Sequence, residues 1–369
     1  VSRYVLFGTL MWDALRQVVA GRPVDVVPAR LDGWAVERSA QGNWPVLVPG
    51  DGAGVMVTEP LDPQAQDRLD FYERVFAYGP ERVQVATEDG LVEASVYRTT
   101  DAGAGAEWSL DDWIHEHGPR TLEAAAEMMR AHGRRTPEDV AAMRSVINAR
   151  ADGIVATRAM RRPITVGGGP DRASVKVEDV AYPYEGFHRV EEWRIDHPRF
   201  DGTRSGTIQR AISHVTNAAT VLPYDPARNH VLVVEQIRAG ALAKGDTQPW
   251  MIEPIAGLID AGEGPETTAL RELEEEAGVT ADLDALRLVA RYYPSPGGLA
   301  QIIHSYVALC DLPDDIPGLY GVEGESEDIR SHLVPLDDLV AMIASGEAAN
   351  APLILSAQWL ALHKASLSG

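Results

Sequence analysis

Residues 257–279 read Gly-Leu-Ile-Asp-Ala-Gly-Glu-Gly-Pro-Glu-Thr-Thr-Ala-Leu-Arg-Glu-Leu-Glu-Glu-Glu-Ala-Gly-Val. Pro265 suits the first turn of a helix, Glu266 complements the positive N-terminal dipole, and Gly278 suits the left-handed position just past a helix end. A helix is therefore expected over Pro265–Ala277. On it Glu272, Glu275 and Glu276 are spaced by three and four residues, which puts their carboxylates on one face. Like charges this close repel. A solvated acidic face is one outcome of such crowding. Neutralisation by a hard cation with oxygen ligands is the other, and Mg²⁺ typically takes one or two carboxylates plus substrate phosphate oxygens. Arg271 is positioned to hold a carboxylate by a bidentate pair.

Gly257, five residues, Glu263, seven residues, then Arg271-Glu272-Leu273, Glu275-Glu276, Gly278 and Val279 fill every specified position of the Nudix box. The segment thus resembles the Nudix hydrolases. By that resemblance Glu272 and Glu276 coordinate Mg²⁺, with Mn²⁺ as a substitute, and Glu275 assists as ligand or positioning group. Gly257, Glu263 and Arg271 support the loop.

Pro294 stands sixteen residues after Gly278, within Tyr292-Tyr293-Pro294-Ser295-Pro296-Gly297-Gly298. Together with Glu235-Gln236-Ile237-Arg238 and Glu253-Pro254-Ile255-Ala256-Gly257, this resembles the ADP-ribose pyrophosphatase subgroup, from about Val177 onward. The resemblance implies that Arg238 contacts the substrate's diphosphate or ribose, that Arg210 also reaches it, and that the Ala256 carbonyl completes a metal's shell. Gly324-Glu325-Ser326-Glu327-Asp328-Ile329 is similar to that family's acidic closing loop, with Glu325 the candidate base and Glu327 a further metal ligand. Leu299-Ala300-Gln301 departs from the Thr-Ser-Glu often found there and bears on substrate identity. The expected reaction is Mg²⁺-dependent hydrolysis of ADP-ribose to AMP and ribose 5-phosphate. GDP-mannose or another nucleotide sugar is the enzymatic alternative, and a non-catalytic ADP-ribose sensor the other class. Subgroup members commonly pair through their first strands, so a homodimer is implied.

At the other end Tyr4-Val5-Leu6-Phe7-Gly8-Thr9-Leu10 reads as a strand entering a tight turn whose glycine lets a ligand approach backbone amides. With Leu69-Asp70-Phe71-Tyr72-Glu73, Tyr78 and Arg82 it resembles the gamma-glutamylcyclotransferase-like (AIG2-like) family over roughly Val1 to Arg98. Phe7 stands where that family usually has tyrosine, and Arg74 where glycine often follows the glutamate. The resemblance implies a small barrel that binds ligands beside Gly8, Thr9 and Leu10. It also implies a proton-moving role for Glu73 as a gamma-glutamyl amine cyclises to 5-oxoproline, a role suited to a partly desolvated carboxylate. A scaffolding barrel with Glu73 as a paired buried acid is the alternative. The fusion resembles proteins labelled tellurite resistance.

The chain of 369 residues exceeds what one core usually fills. Short apolar strands, among them Arg3 to Phe7, Val46 to Val48, Val55 to Val57 and Val92 to Tyr97, precede helical spacing over Leu110 to His115, Thr121 to His132 and Asp139 to Arg150. The last of these has Thr136 as N-cap and Pro137 at the first helical position. Periodicity fades from Ala151 into Arg161-Arg162-Pro163 and Gly167-Gly168-Gly169-Pro170, a composition suited to a connection. Strand-like runs follow at Val190 to Asp196, Ala218 to Pro223, His230 to Gln236, Leu286 to Tyr293 and Ile302 to Leu309, and a helix closes the chain at Pro352 to Ala365. The expected architecture is α+β: a gamma-glutamylcyclotransferase-like small β-barrel with helices over 1–160, a linker over 161–174, and an α/β/α sandwich Nudix domain over 175–369.

The formal net charge of −22 repels phosphate backbones, and no basic stripe exceeds Arg161-Arg162, so no nucleic-acid partner is expected. No apolar stretch approaches the roughly 20 residues of a membrane span, and Val1 to Gly21 lacks the small-residue cleavage pattern of a signal peptide. The lone Cys310 suits a reducing cytoplasm and a buried structural role. A small anionic substrate remains compatible with this charge, and the Nudix resemblance implies that it is a nucleotide sugar.

Overall fold

The computed structural model describes residues 2–99, 103–321 and 328–367. The chain divides into two compact units, Val1–Arg161 and Arg162–Gly369.

In the first unit, β1 (Tyr4–Leu6) runs through a 3-10 turn at Thr9–Met11 into α1 (Asp13–Ala20). Then come β2 (Val26–Leu31), β3 (Trp34–Ser39), β4 (Pro45–Pro49), β5 (Ala53–Thr58), α2 (Pro63–Val75), β6 (Gly79–Thr87), β7 (Gly90–Arg98) and β8 (Gly103–Glu107). Three helices end the unit: α3 (Leu110–Arg130), α4 (Pro137–Ala142) and α5 (Arg144–Ala159). Strands β1-β5-β2-β6-β7 close a barrel, and β4-β3-β8 form a separate sheet. The barrel interior is filled by Val5, Leu31, Val55, Val57, Val85 and Val96. The alternate residues Tyr4 and Leu6 face a second core built with α1, α2 and α3.

Pro28 argues against a strand on sequence alone, because it cannot donate to a ladder. It is accommodated in β2 because that strand pairs with β6 only at Ala29 and Arg30. Gly118-Pro119 likewise suggests a break, yet α3 is continuous through both. The helix is held by its buried face, which includes Trp113, Ala124 and Met128, and Gly118 lets the Trp12 ring lie close. The capping box at Thr136 and Asp139 is present, but its helix ends at Ala142 and α5 restarts after Met143.

The second unit contains β9 (Lys176–Glu185), β10 (Arg189–Asp196), β11 (Ile208–His214), β12 (Ala218–Asp225), β13 (His230–Ile237), α6 (Ala239–Lys244), β14 (Trp250–Glu253) and β15 (Ile255–Leu258). It continues with α7 (Pro265–Ala277), β16 (Leu286–Tyr292), β17 (Leu299–Ala300), β18 (Ile303–Leu309), β19 (Leu319–Tyr320), β20 (Ile329–Pro335), α8 (Leu336–Ser345) and α9 (Ala351–Leu367). A mixed sheet ordered β16-β18-β12-β13-β20-β19, with β15 on β12 and β14 on β13, forms the centre. Leu232 and Val234 of β13 pack with Ala269, Leu273 and Ala277 of α7. Their neighbours Val231 and Val233 pack on the opposite face with Leu336, Leu353 and Leu360 of α8 and α9. Near-continuous apolar strands with helices on both faces make this an α/β/α sandwich. A four-stranded sheet, β17-β11-β10-β9, accompanies it.

Candidate active sites

Helix α7 spans the residues its sequence predicts, with Pro265 in the first turn and Gly278 at φ 63° as its C-cap. Its apolar side is anchored in the core by Ala269, Leu273 and Ala277, which turns Arg271, Glu272 and Glu275 away from the core. The Arg271 Nη1 donates to Glu272 Oε1 at 2.7 Å and to Glu275 Oε2 at 2.8 Å. Its Nε donates to Glu263 Oε1 at 3.3 Å. Thr268 Oγ1 donates to the other oxygen of Glu263 at 2.8 Å. Burial raises the Glu263 carboxyl, but the bonds from Arg271 and Thr268 outweigh it and hold the group below its ordinary value. Burial likewise lowers Arg271, and Glu263, Glu272 and Glu275 together raise it further, so the guanidinium stays charged.

Glu276 is 1% exposed and accepts a hydrogen bond from the Ala256 N–H at 3.1 Å. Gly257 lies against Glu272. A Cβ there would stand 1.7 Å from Glu272 Oε1, so glycine is needed for space, to let the carboxylate rest on the strand. The sequence-predicted residues Ala256, Gly257, Glu263, Arg271, Glu272, Glu275 and Glu276 are thus brought together at the junction of β15 and α7. Among the described residues no three His, Cys, Asp or Glu side chains form a metal-holding group; the Arg271 guanidinium lies between the carboxylates instead. Glu325 and Glu327 lie outside the described residues.

Arg238, at the end of β13, donates through Nε to Glu253 Oε2 at 2.7 Å. Asn350 Nδ2 donates to the other Glu253 oxygen at 2.9 Å. Buried Glu253 therefore fixes the Arg238 fork, a role its sequence position did not disclose, and Asn350, 97 residues away, carried no signal at all. Arg210 stands on β11 in the four-stranded sheet, exposed, its Nη1 bonded to the Gln209 carbonyl at 2.8 Å. The Leu299 to Gln301 segment has a structural part: Leu299 and Ala300 form β17 beside β11, and Gln301 Nε2 donates to the Thr216 carbonyl at 2.9 Å.

In the first unit a cavity of about 850 Å³ opens at the barrel, with Gly8, Thr9, Leu10 and Glu73 among its lining. Glu73 lies on α2 and is 8% exposed. Among the described residues its carboxyl has no hydrogen-bond or ion-pair partner, whereas nearby Asp70 accepts from the hydroxyls of Tyr4 and Tyr97 at 3.1 and 2.5 Å. Burial, aided by the charge of Asp70, pushes the Glu73 carboxyl up to about 8. The paired-acid alternative for Glu73 finds no such partner there. Arg120, Arg144 and Asn148 also line the cavity, and sequence reading did not single them out.

Comparison with known proteins gives two family matches: the NUDIX domain over residues 214–356, and gamma-glutamyl cyclotransferase, AIG2-like, over residues 4–115. An ADP-ribose pyrophosphatase of Haemophilus influenzae is 35% identical over 186 residues, which is 50% of this chain and 84% of that protein. One of Escherichia coli K12 is 35% identical over 184 residues, covering 50% and 86%. A GDP-mannose pyrophosphatase of Yersinia enterocolitica is 28% identical over 192 residues, covering 52% and 97%.

Proposed function

The chain belongs to the Nudix family through its carboxy-terminal unit, and from that membership we propose that it hydrolyses the diphosphate of ADP-ribose, giving AMP and ribose 5-phosphate. The observation that carries this reading is the gathering of Glu263, Glu272 and Glu275 around Arg271, with Glu276 bonded to the Ala256 backbone. The 35% identity to proteins named ADP-ribose pyrophosphatase supports this substrate over GDP-mannose, where identity is 28%.

The donor set fits a hard divalent cation, because it is all oxygen and Gly257 keeps Glu272 against the strand. Glu272, Glu276 and the Ala256 carbonyl would hold it, joined by Glu327. Mg²⁺, or Mn²⁺ in its place, supplies charge neutralisation at the diphosphate and a more acidic water when bound. Arg271 keeps the carboxylates ordered against their mutual repulsion. Arg238, locked by Glu253, retains N–H groups to offer to a diphosphate oxygen, a service Arg210 would share. In the reaction a water oxygen forms a bond to phosphorus, the bridging P–O bond breaks, and the water's proton passes to a carboxylate, Glu325 or Glu275. The homodimer and a cytoplasmic location belong to the same proposal.

Steady-state hydrolysis of ADP-ribose, GDP-mannose, NADH and ADP-glucose with Mg²⁺ tests it. ADP-ribose should have the highest kcat/KM, and Glu276→Gln should abolish turnover while leaving the fold intact. Binding of ADP-ribose without cleavage by the unaltered chain would replace the enzyme with a sensor.

For the first unit, the unpartnered Glu73 in its cavity supports gamma-glutamyl cyclotransfer. The α-amino nitrogen attacks the γ-carbonyl carbon, the ring C–N bond forms as the amide C–N bond breaks, and Glu73 carries the proton from the attacking nitrogen to the leaving amine. Release of 5-oxoproline from gamma-glutamyl compounds, lost in Glu73→Gln, is the expected result. No release from a broad panel leaves the scaffold.

A further inference from the structure

The cavity beside Glu73 is closed on its far side by α3 and α5, and most of that wall lies beyond residue 115, where the gamma-glutamyl cyclotransferase match ends. This wall carries charge of one sign. Arg144 and Asn148 are one helical turn apart on α5 and both line the cavity. The Arg144 guanidinium lies 5.1 Å from the Phe76 ring centroid and, among the described residues, has no carboxylate partner. Asn148 likewise has no hydrogen-bond partner among them. Arg120 faces the same space, held loosely by Asp152 at 3.5 Å. Arg98 pairs with Glu81 at 2.7 Å, so of the lining arginines Arg144 is the one without a carboxylate among the described residues.

Among the described residues the lining's sole carboxyl is Glu73, and burial favours its neutral form. In an acidic chain of net charge −22, Arg144 therefore presents to this cavity a positive charge that no carboxylate among the described residues balances. A half-buried cation stacked on an aromatic ring and lacking an anion is a group for which a ligand supplies the missing partner.

We propose that this cavity takes a small molecule with one anionic end, a carboxylate or a phosphate, seated against Arg144, Arg120 and Asn148, while its other end faces Glu73 and the Gly8–Leu10 turn. The two ends are served by different parts of the chain. The barrel end belongs to the matched family segment, and the helical wall selects by charge. This goes beyond the cyclotransferase reading, since it concerns binding and requires no turnover.

Calorimetric titration of the full chain with γ-glutamylglycine, γ-glutamylmethylamide (which keeps the α-ammonium and α-carboxylate but lacks the terminal carboxylate), glutarate and glycerol 3-phosphate tests the proposal. γ-Glutamylglycine should bind about tenfold or more tighter than γ-glutamylmethylamide, the gain of a charge-assisted hydrogen bond. That preference should collapse in Arg144→Gln and weaken in Arg120→Gln, and persist in Arg158→Gln, an exposed arginine on the same helix. Arg144-dependent binding of glutarate or glycerol 3-phosphate, with no binding of either γ-glutamyl compound, would uphold the anion site, name its anion, and remove the cyclotransferase reading. Equal affinity for the two γ-glutamyl compounds, unchanged in Arg144→Gln, would overturn the anion site and leave cyclotransfer standing. No binding by any of the four would overturn the site.

Discussion

Gly257 does not adopt a left-handed backbone, so its requirement is one of space. A methyl group there would displace the Glu272 carboxylate, whose Oε1 lies 1.7 Å from the position of the added carbon. Gly257→Ala is expected to cut kcat for ADP-ribose by about a hundredfold, the scale of effect that follows an ångström of misplacement at a reacting centre. Its thermal unfolding should stay close to that of the unaltered chain, because the strand geometry suits alanine. Steady-state kinetics beside a melting curve checks this, and a near-normal kcat would mean that Glu272 does not act from the position it holds. The Nudix box is legible in sequence because its working residues sit within one turn, one helix and fixed local spacings. Arg238 shows the limit of that legibility. Its side chain is fixed by Glu253, and Glu253 by Asn350 from the loop before α9, a chain of contacts that only the folded sandwich assembles.

Elements gave themselves away where local signals were consistent and hid where packing overrode them. Helix α7 has a proline start, a glycine stop and an apolar stripe, all in agreement. Helix α3 has Pro119 in its interior and survives because its buried face does more than the missing hydrogen bond undoes. The joining of α3 to α5 illustrates a further hidden feature, an ion pair between Glu127 and Arg150 with Arg150 only 2% exposed. The Arg150 Nε donates to Glu127 Oε1 at 3.1 Å. Removing one partner strands the other charge in the core. Glu127→Leu is thus expected to destabilise the first unit by about 3–5 kcal/mol, whereas the double change Glu127→Leu with Arg150→Met should recover most of that loss. Urea unfolding of the full chain, followed by tryptophan fluorescence, measures both. A single variant as stable as the double would show that this pair does not tie the two helices.

At the scale of the whole molecule, two units with separate cores carry two sites whose protonation behaves differently. In the first, Glu73 is raised from an ordinary 4.5 to about 8, so the unfolded chain ionises this group before the folded one does. The favourable state, with Glu73 neutral and buried, is fully present below about 4.5 and its contribution is lost as pH rises through about 8. In the second unit Glu263 is held low, so its contribution is present above the ordinary carboxyl value and is lost only in acid, as pH falls through its depressed folded value. Differential scanning calorimetry should accordingly resolve two transitions, of which the one belonging to the first unit falls in temperature between pH 5 and pH 8. Glu73→Gln should flatten that fall and raise the first transition at pH 8, by a free energy of roughly a few kcal/mol, while abolishing 5-oxoproline release. Cyclotransfer in the unaltered chain should increase through about pH 8, as Glu73 becomes able to accept a proton. Hydrolysis of ADP-ribose by Glu73→Gln should be unchanged, and Glu276→Gln should reverse the pattern, silencing hydrolysis and sparing the first site. A Glu73→Gln chain whose second transition or hydrolysis rate also moves would mean that the two units are energetically coupled, and the assignment of each activity to its own unit would then fail.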